Sequence, residues 1–252
     1  MEPIEFRGRT VQVPLSVEEL TMDQYIYLVC LNTWLERKLI DGDYFRVRWF
    51  SWLLGLGNTD FTMLRRELIE QVQPHCRRIT DGFMKAGRPD FTTCVNLIPE
   101  YKGYKGPADW LSGLSYGKFV ECATVFSQLA SAEDPRELYQ HIARTLYSIP
   151  PEKPVPEILA WHSVVFFSNV WRAIQTAPVE INGQMLDLSI IFKGSSGRKA
   201  DDKTGWTGIS FEVASAGLFG NVRELEEADF WEVLIYLYKC KFEYLHDKSN
   251  KK

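Results

Sequence analysis

Apolar and polar positions along this chain recur at two periods, and the change of period marks its elements. Ile4-Glu5-Phe6-Arg7-Gly8-Arg9-Thr10-Val11-Gln12-Val13 alternates every second residue around a glycine, which tolerates the positive φ of a tight turn. That pattern predicts a β-hairpin over 4–13. Val179-Glu180-Ile181-Asn182-Gly183-Gln184-Met185-Leu186-Asp187-Leu188 repeats it around Asn-Gly, the strongest short hairpin signal, so a second hairpin is expected over 179–192. Strand is expected nowhere else.

Between the hairpins the period lengthens to that of a helix. Ser16 with Glu19, and Thr21 with Gln24, have capping-box spacing, and Tyr25, Leu28, Val29, Leu31 and Leu35 then recur on one face. An aromatic helix follows over about Tyr44–Leu54 and stops at Gly55-Leu56-Gly57-Asn58. A third is expected from about Thr59 to Val72, with Pro74 opening a short fourth. Residues 86–113, punctuated by Gly and Pro, read as an ordered loop anchored by Phe91, Leu97, Ile98 and Tyr101. Helices are then expected over about Ser115–Leu129 and over Pro135–Tyr147, the latter capped by Asp134. The stiff run Pro150–Pro156 leads into a long apolar helix, Glu157–Thr176.

The pattern also divides the chain. A helical body over 1–192 is followed by a polar, Gly- and Ser-bearing linker over 193–204 and a helical tail over 205–252. In the tail, Asp229 and Glu232 have cap-plus-N3 spacing. Trp231, Leu234, Ile235, Tyr238, Phe242 and Leu245 form an apolar stripe expected to bind a partner.

Composition narrows the function classes. A net charge of −4 argues against nucleic acid, which asks for a basic footprint. The pairs Arg46/Arg48, Arg65/Arg66 and Arg77/Arg78 read as solvated helix faces. Apolar residues at 45% and charged residues at 25% fit an ordinary folded protein rather than a disordered one. The window Trp161–Ile174 is interrupted by His162, Asn169 and Arg172 and is too short to span a bilayer. The start, Met1-Glu2-Pro3-Ile4-Glu5-Phe6, has no secretory pattern, and five scattered cysteines read as reduced thiols in a cytoplasmic compartment. No membrane association is expected.

Candidate chemistry is thin. Gly197-Arg198-Lys199-Ala200-Asp201-Asp202-Lys203-Thr204 has P-loop spacing, but Asp202 places a carboxylate where backbone must approach phosphate. No helix signal follows Thr204 to supply a dipole. His75-Cys76 and Cys94 lack a fourth zinc ligand. His141 and His162 have no partnering motif and read as helix-surface or core histidines. No catalytic residue, cofactor or metal is therefore expected, and the chain reads as non-enzymatic.

What the chain does repeat is structural. Leu20-Thr21-Met22-Asp23-Gln24-Tyr25-Ile26 matches Leu114-Ser115-Tyr116-Gly117-Lys118-Phe119-Val120 at its apolar and hydroxyl positions. A second apolar helix follows each copy about thirty residues on, ending Trp52-Leu53-Leu54 or Thr145-Leu146-Tyr147. The expected fold is thus a mainly α-helical bundle around a duplicated helix pair, with Tyr25 and Phe119 filling equivalent buried positions.

The phrase Tyr104-Lys105-Gly106-Pro107-Ala108-Asp109-Trp110-Leu111-Ser112-Gly113-Leu114-Ser115-Tyr116-Gly117-Lys118-Phe119, with Ala143-Arg144-Thr145-Leu146-Tyr147 and the final Gly217–Phe242 stretch, resembles helical proteins of tailed phages and prophages of Bacteroidota. Those proteins belong among tail morphogenesis genes, beside tail assembly chaperones. Where their Leu-Tyr is followed by Arg-Pro, this chain has Ser148-Ile149-Pro150. The resemblance spans about residues 100–250 and implies a chaperone of virion assembly in the host cytoplasm. Its implied partners are other phage proteins such as the tape-measure or tail tube protein, with self-association as a further expectation. A virion component (connector, ring or cargo protein) and an uncharacterised enzyme are the alternatives.

Overall fold

Helix makes up 59% of the computed structural model, and among the described residues every sheet is two-stranded, so the mainly α-helical reading with small hairpins holds. The structure describes residues 1–57, 59–181, 183–192 and 205–250; the expected linker, and the P-loop-like segment within it, lie outside them. The chain divides into two compact units, Met1–Thr93 and Cys94–Lys252. This division differs from the one that composition suggested, a body over 1–192 and a tail over 205–252.

The first unit opens with the expected hairpin, β1 (Glu2–Phe6) against β2 (Arg9–Val13). Arg7 and Gly8 take φ of 52° and 71°, the paired left-handed conformation of a type I′ turn. Alternation puts Ile4, Phe6 and Val13 in the core. A 3₁₀ turn (Val17–Glu19) precedes α1 (Met22–Glu36), whose start is the Thr21/Gln24 capping box. Asp41 then caps α2 (Gly42–Leu53) through the Tyr44 amide at 2.7 Å.

The third helix departs from expectation. Asp60 caps only a 3₁₀ turn (Phe61–Met63), and α3 runs unbroken from Arg66 to Asp81 through Pro74. Proline removes one helical hydrogen bond. The helix continues because Val72, Cys76 and Ile79 share one buried face at i, i+4, i+7 spacing. A minimal hairpin follows, β3 (Met84–Lys85) with β4 (Arg88–Pro89), where only loop was expected.

The second unit begins with another unexpected hairpin, β5 (Glu100–Tyr101) with β6 (Tyr104–Lys105), again turning on a left-handed pair, Lys102 and Gly103. These strands are two residues long, too short for alternation to register. A single turn over Asp109–Leu111 leads to α4 (Tyr116–Gln128), α5 (Arg136–Tyr147) and α6 (Glu157–Thr176). The hairpin β7 (Val179–Ile181) with β8 (Gln184–Leu186) closes this series. It ends sooner than expected, since Ser189–Phe192 coil into a short helix, α7, behind the Asp187 side chain. Beyond the undescribed segment come α8 (Trp206–Ser215), α9 (Val222–Glu227) and α10 (Phe230–Asn250).

Apart from one further 3₁₀ turn in each (Phe61–Met63 before α3, Leu129–Ser131 after α4), each unit runs hairpin, 3₁₀ turn, three helices, hairpin; the second then adds α7–α10 among the described residues. The duplication reaches single side chains. Tyr25, Leu28, Val29 and Leu31 are buried in α1, and adding 94 to each gives Phe119, Cys122, Ala123 and Val125, all buried in α4. Val17 and Leu20 map by the same shift onto buried Leu111 and Leu114. A shift of 93 carries Trp49, Phe50, Leu53 and Leu54 onto Ile142, Ala143, Leu146 and Tyr147, again buried throughout. It also carries the helix stop across. The Leu56 amide donates to the Ser51 carbonyl around Gly55, and the Ile149 amide to the Arg144 carbonyl around Ser148, both at 3.0 Å. This is the six-to-one bond of a Schellman motif, which requires a left-handed residue. Gly55 (φ 74°) and Ser148 (φ 52°) supply it.

Candidate interaction site

His162, one of the histidines considered for chemistry, belongs to a buried polar knot in the second unit that holds a loop. Asn96 is buried, and its side-chain amide donates to the Pro107 carbonyl at 2.7 Å. Its carbonyl oxygen accepts from the Ile98 amide at 3.1 Å, meets His162 Nε2 at 2.9 Å and accepts from the Tyr147 hydroxyl at 3.3 Å. Burial drives the His162 pKa down to about 3, so the ring is a neutral structural donor. Gly106 lies against this knot so closely that a Cβ would sit 2.6 Å from the Tyr147 ring.

Of the other candidates, His141 pairs with Glu121 at 2.6 Å on the surface. Cys76 is buried, which pushes its thiol up to about 12. Among the described residues no group of three or more His, Cys, Asp or Glu is placed to hold a metal. Of the basic pairs, Arg46 meets Asp81 at 3.1 Å, Arg66 meets Glu70 at 2.7 Å, and Arg78 is paired with Glu2.

The Asn96 knot fixes the turn that follows it. Asp109 accepts the Asn96 amide at 2.9 Å, and Trp110 and Leu111 then both adopt φ of 58°. Left-handed backbone at a side chain with Cβ costs about 1–2 kcal/mol per residue. Fixed partners hold it here. The Trp110 amide donates to the Cys94 carbonyl at 2.8 Å, and Leu111 is fully buried. In the first unit, Ser16 stands where Trp110 stands and has extended backbone with φ of −136°.

The consequence is an indole turned partly into solvent, with Trp110 38% exposed. Trp231, at the start of α10, donates from its ring nitrogen to the Trp110 carbonyl at 3.0 Å. Asp229 sets that helix start, accepting the Trp231 amide at 2.8 Å and the Glu232 amide at 3.3 Å. With Val179, Glu180 and Ile181 of β7, the two tryptophans line an open groove of about 470 Å³. Acidic residues lie beside the lining in sequence on each element: Asp109 next to Trp110, Glu180 between Val179 and Ile181, and Glu232 after Trp231.

The six predicted contact residues separate along α10. Leu234 is fully buried with Phe230 and Val233, so it is core and cannot meet a partner. Trp231 belongs to the groove, and Ile235 and Tyr238 are half-buried. Phe242 (54% exposed) and Leu245 (41%) face solvent, with Phe242 stacked on Tyr238 at 6.0 Å between ring centroids. A helical stripe read from sequence cannot show where neighbouring helices stop covering it. Trp110, Val179 and Ile181 were missed as site residues. The available signal was a tryptophan in a Gly- and Pro-rich loop.

Among the described residues, no helix is long and apolar enough to cross a membrane. No protein-family model, curated protein or solved structure matches the chain. What the geometry defines is a class: a mainly α-helical protein of two repeated units, with an open tryptophan-lined groove in the second.

Proposed function

We propose that the chain is a non-enzymatic binding protein of phage tail morphogenesis, a tail assembly chaperone that holds other tail proteins in the host cytoplasm. The observation that carries a binding role is the Trp110–Trp231 pair. The fold holds an indole open to water through left-handed backbone at two residues, although tryptophan is ordinarily among the groups that folding covers. Tryptophan is among the residues enriched at the energetic centres of protein interfaces. The exposed end of α10, with Phe242, Tyr244 and Leu245, supplies further apolar surface on the same helix as Trp231. The assignment to tail assembly rests on the sequence resemblance, and the tape-measure and tail tube proteins are its proposed clients.

The test is co-purification with the products of the flanking tail genes, using the wild type and Trp110→Ala. The proposal expects a stoichiometric complex with one of them, weakened at least tenfold in the variant, which is about 1.4 kcal/mol, with the thermal melt preserved. Recovery of the chain from purified particles at fixed copy number would assign it to the virion instead. A nucleotide- or metal-induced rise in melting temperature that Trp110→Ala leaves intact would point to an enzyme.

A further inference from the structure

The repeat supplies a standard for what each helix face is built to meet. On α4 the row Tyr116, Val120, Thr124, Gln128 runs at four-residue spacing, one ridge of the kind that interlocks with a crossing helix. Its first half is covered. Tyr116 is fully buried in a cluster with Val213 of α8, Leu225 of α9 and Val233 of α10, and Val120 packs against that cluster. Its second half, Thr124 and Gln128, is polar and exposed. On α4, then, the ridge is apolar where helices cover it and polar where they do not.

The same ridge on α1, 94 residues earlier, is Met22, Ile26, Cys30, Trp34. It is apolar along its whole length, yet the chain leaves it open. Met22 is 39% exposed and Trp34 41%, Cys30 is exposed and Ile26 half-buried. The first unit has nothing after its closing hairpin that corresponds to α8–α10. By the rule that α4 obeys, a ridge of this composition has a helical cover.

We infer that the Met22–Trp34 ridge of α1 is a docking site for an amphipathic helix of a partner protein. The occupant is helical because the equivalent ridge is covered by helices. It extends further than their cover does, since the apolar row spans twelve residues, about 18 Å of helix. It also lies nearer the Trp34 end. On α4 the close approach of α9 depends on Gly117, whose absent Cβ would sit 3.0 Å from the Glu226 carbonyl oxygen. Asp23 occupies that place on α1 and holds a covering helix away from the first turn. This surface shares no residue with the tryptophan groove.

Cys30 reports on the site directly. The full chain is alkylated with N-ethylmaleimide, and modification of Cys30 and of the exposed Cys240 is followed by mass spectrometry. The probes are a blocked Leu/Lys peptide patterned as an amphipathic helix and the same residues scrambled. At ten times its dissociation constant, a helix seated on the ridge slows Cys30 about tenfold, the fraction of time the site stays free, and leaves Cys240 unchanged. Trp34→Asp, and separately Trp34→Lys, removes the protection without altering the thermal melt, whereas Trp110→Ala leaves the protection in place. Unchanged Cys30 reactivity at saturating peptide overturns the inference, as does equal slowing by the scrambled peptide. Protection that rises with protein concentration alone makes the occupant a second copy, which also overturns it.

Discussion

The two units share a plan and differ in how their first helix is finished. In the second, Phe119 sits among Phe167, Trp171, Trp206 and Phe230, with Phe230 stacked on it at 4.1 Å. In the first, the equivalent Tyr25 meets Phe91 edge-on at 6.0 Å, from the segment just after β4. A buried aromatic at this height belongs to the repeated plan, while what closes over it is particular to each copy. The difference teaches that the extra helices α8–α10 are part of the second unit's core rather than an appended arm.

Removing residues 204–252 breaks the comparison most severely. Phe230, Val233 and Leu234 are fully buried, and losing three such side chains removes roughly 5–9 kcal/mol of burial. Limited proteolysis of a chain ending at Lys203 should show residues 94–192 digested and residues 1–93 protected. Protection of both would mean that α10 is dispensable to the second core.

Single truncations sharpen it. Tyr25→Ala and Phe119→Ala should each cost about 3–5 kcal/mol in denaturant unfolding, the range for large buried aromatics. Phe119→Ala should be the larger, given its four aromatic neighbours. A loss near 1 kcal/mol at either position, typical of surface sites, would mean that the two are not equivalent.

Acid separates the units by a different route. His162 is neutral in the folded second unit, with its pKa lowered from 6.5 to about 3 by burial. The unfolded chain therefore binds the proton first. Stability falls as pH drops below 6.5, by about 1.4 kcal/mol per unit at most, until the folded ring itself titrates. In the first unit Glu2 is held low by its hydrogen bond to Arg78, so its contribution is lost only as pH falls below the ordinary carboxylate range. Unfolding measured at pH 7 and pH 5 should show the second unit weakening alone, and His162→Gln should abolish the effect. An unchanged pH response in that variant would place the acid sensitivity elsewhere.

The smallest effect concerns the matched helix stops. Ser148→Gly should stabilise the chain by up to about 1 kcal/mol by relieving left-handed backbone at a side chain, and Gly55→Ala should destabilise it by a similar amount. Equal and opposite signs in thermal unfolding are the expected outcome. Two changes of the same sign would contradict the shared motif.

Much of this was legible in the chain. The capping residues Thr21, Ser115 and Asp229 mark real helix starts, because a side-chain acceptor followed by an apolar period is a local signal. The repeat was readable at Leu20–Ile26 and Leu114–Val120, where residue types coincide. Its full extent was hidden because Trp49 and Ile142, or Gly55 and Ser148, do the same work with different chemistry. Residues 66–81 were misread because Pro74 is a strong local breaker, and only burial of Val72, Cys76 and Ile79 overrides it. The groove was illegible for a related reason. It depends on Trp110 meeting Trp231 across 121 positions of chain, a contact that no local pattern encodes.

The central claim is that one unit is built twice, in register. A crystal structure of the chain, with residues 17–56 superposed on 111–149, tests it most directly. The account predicts that Tyr25 falls on Phe119, Leu28 on Cys122, Trp49 on Ile142 and Leu53 on Leu146, with Gly55 and Ser148 both left-handed. A shift of one residue in either helix pair would turn those side chains to different faces and would contradict it.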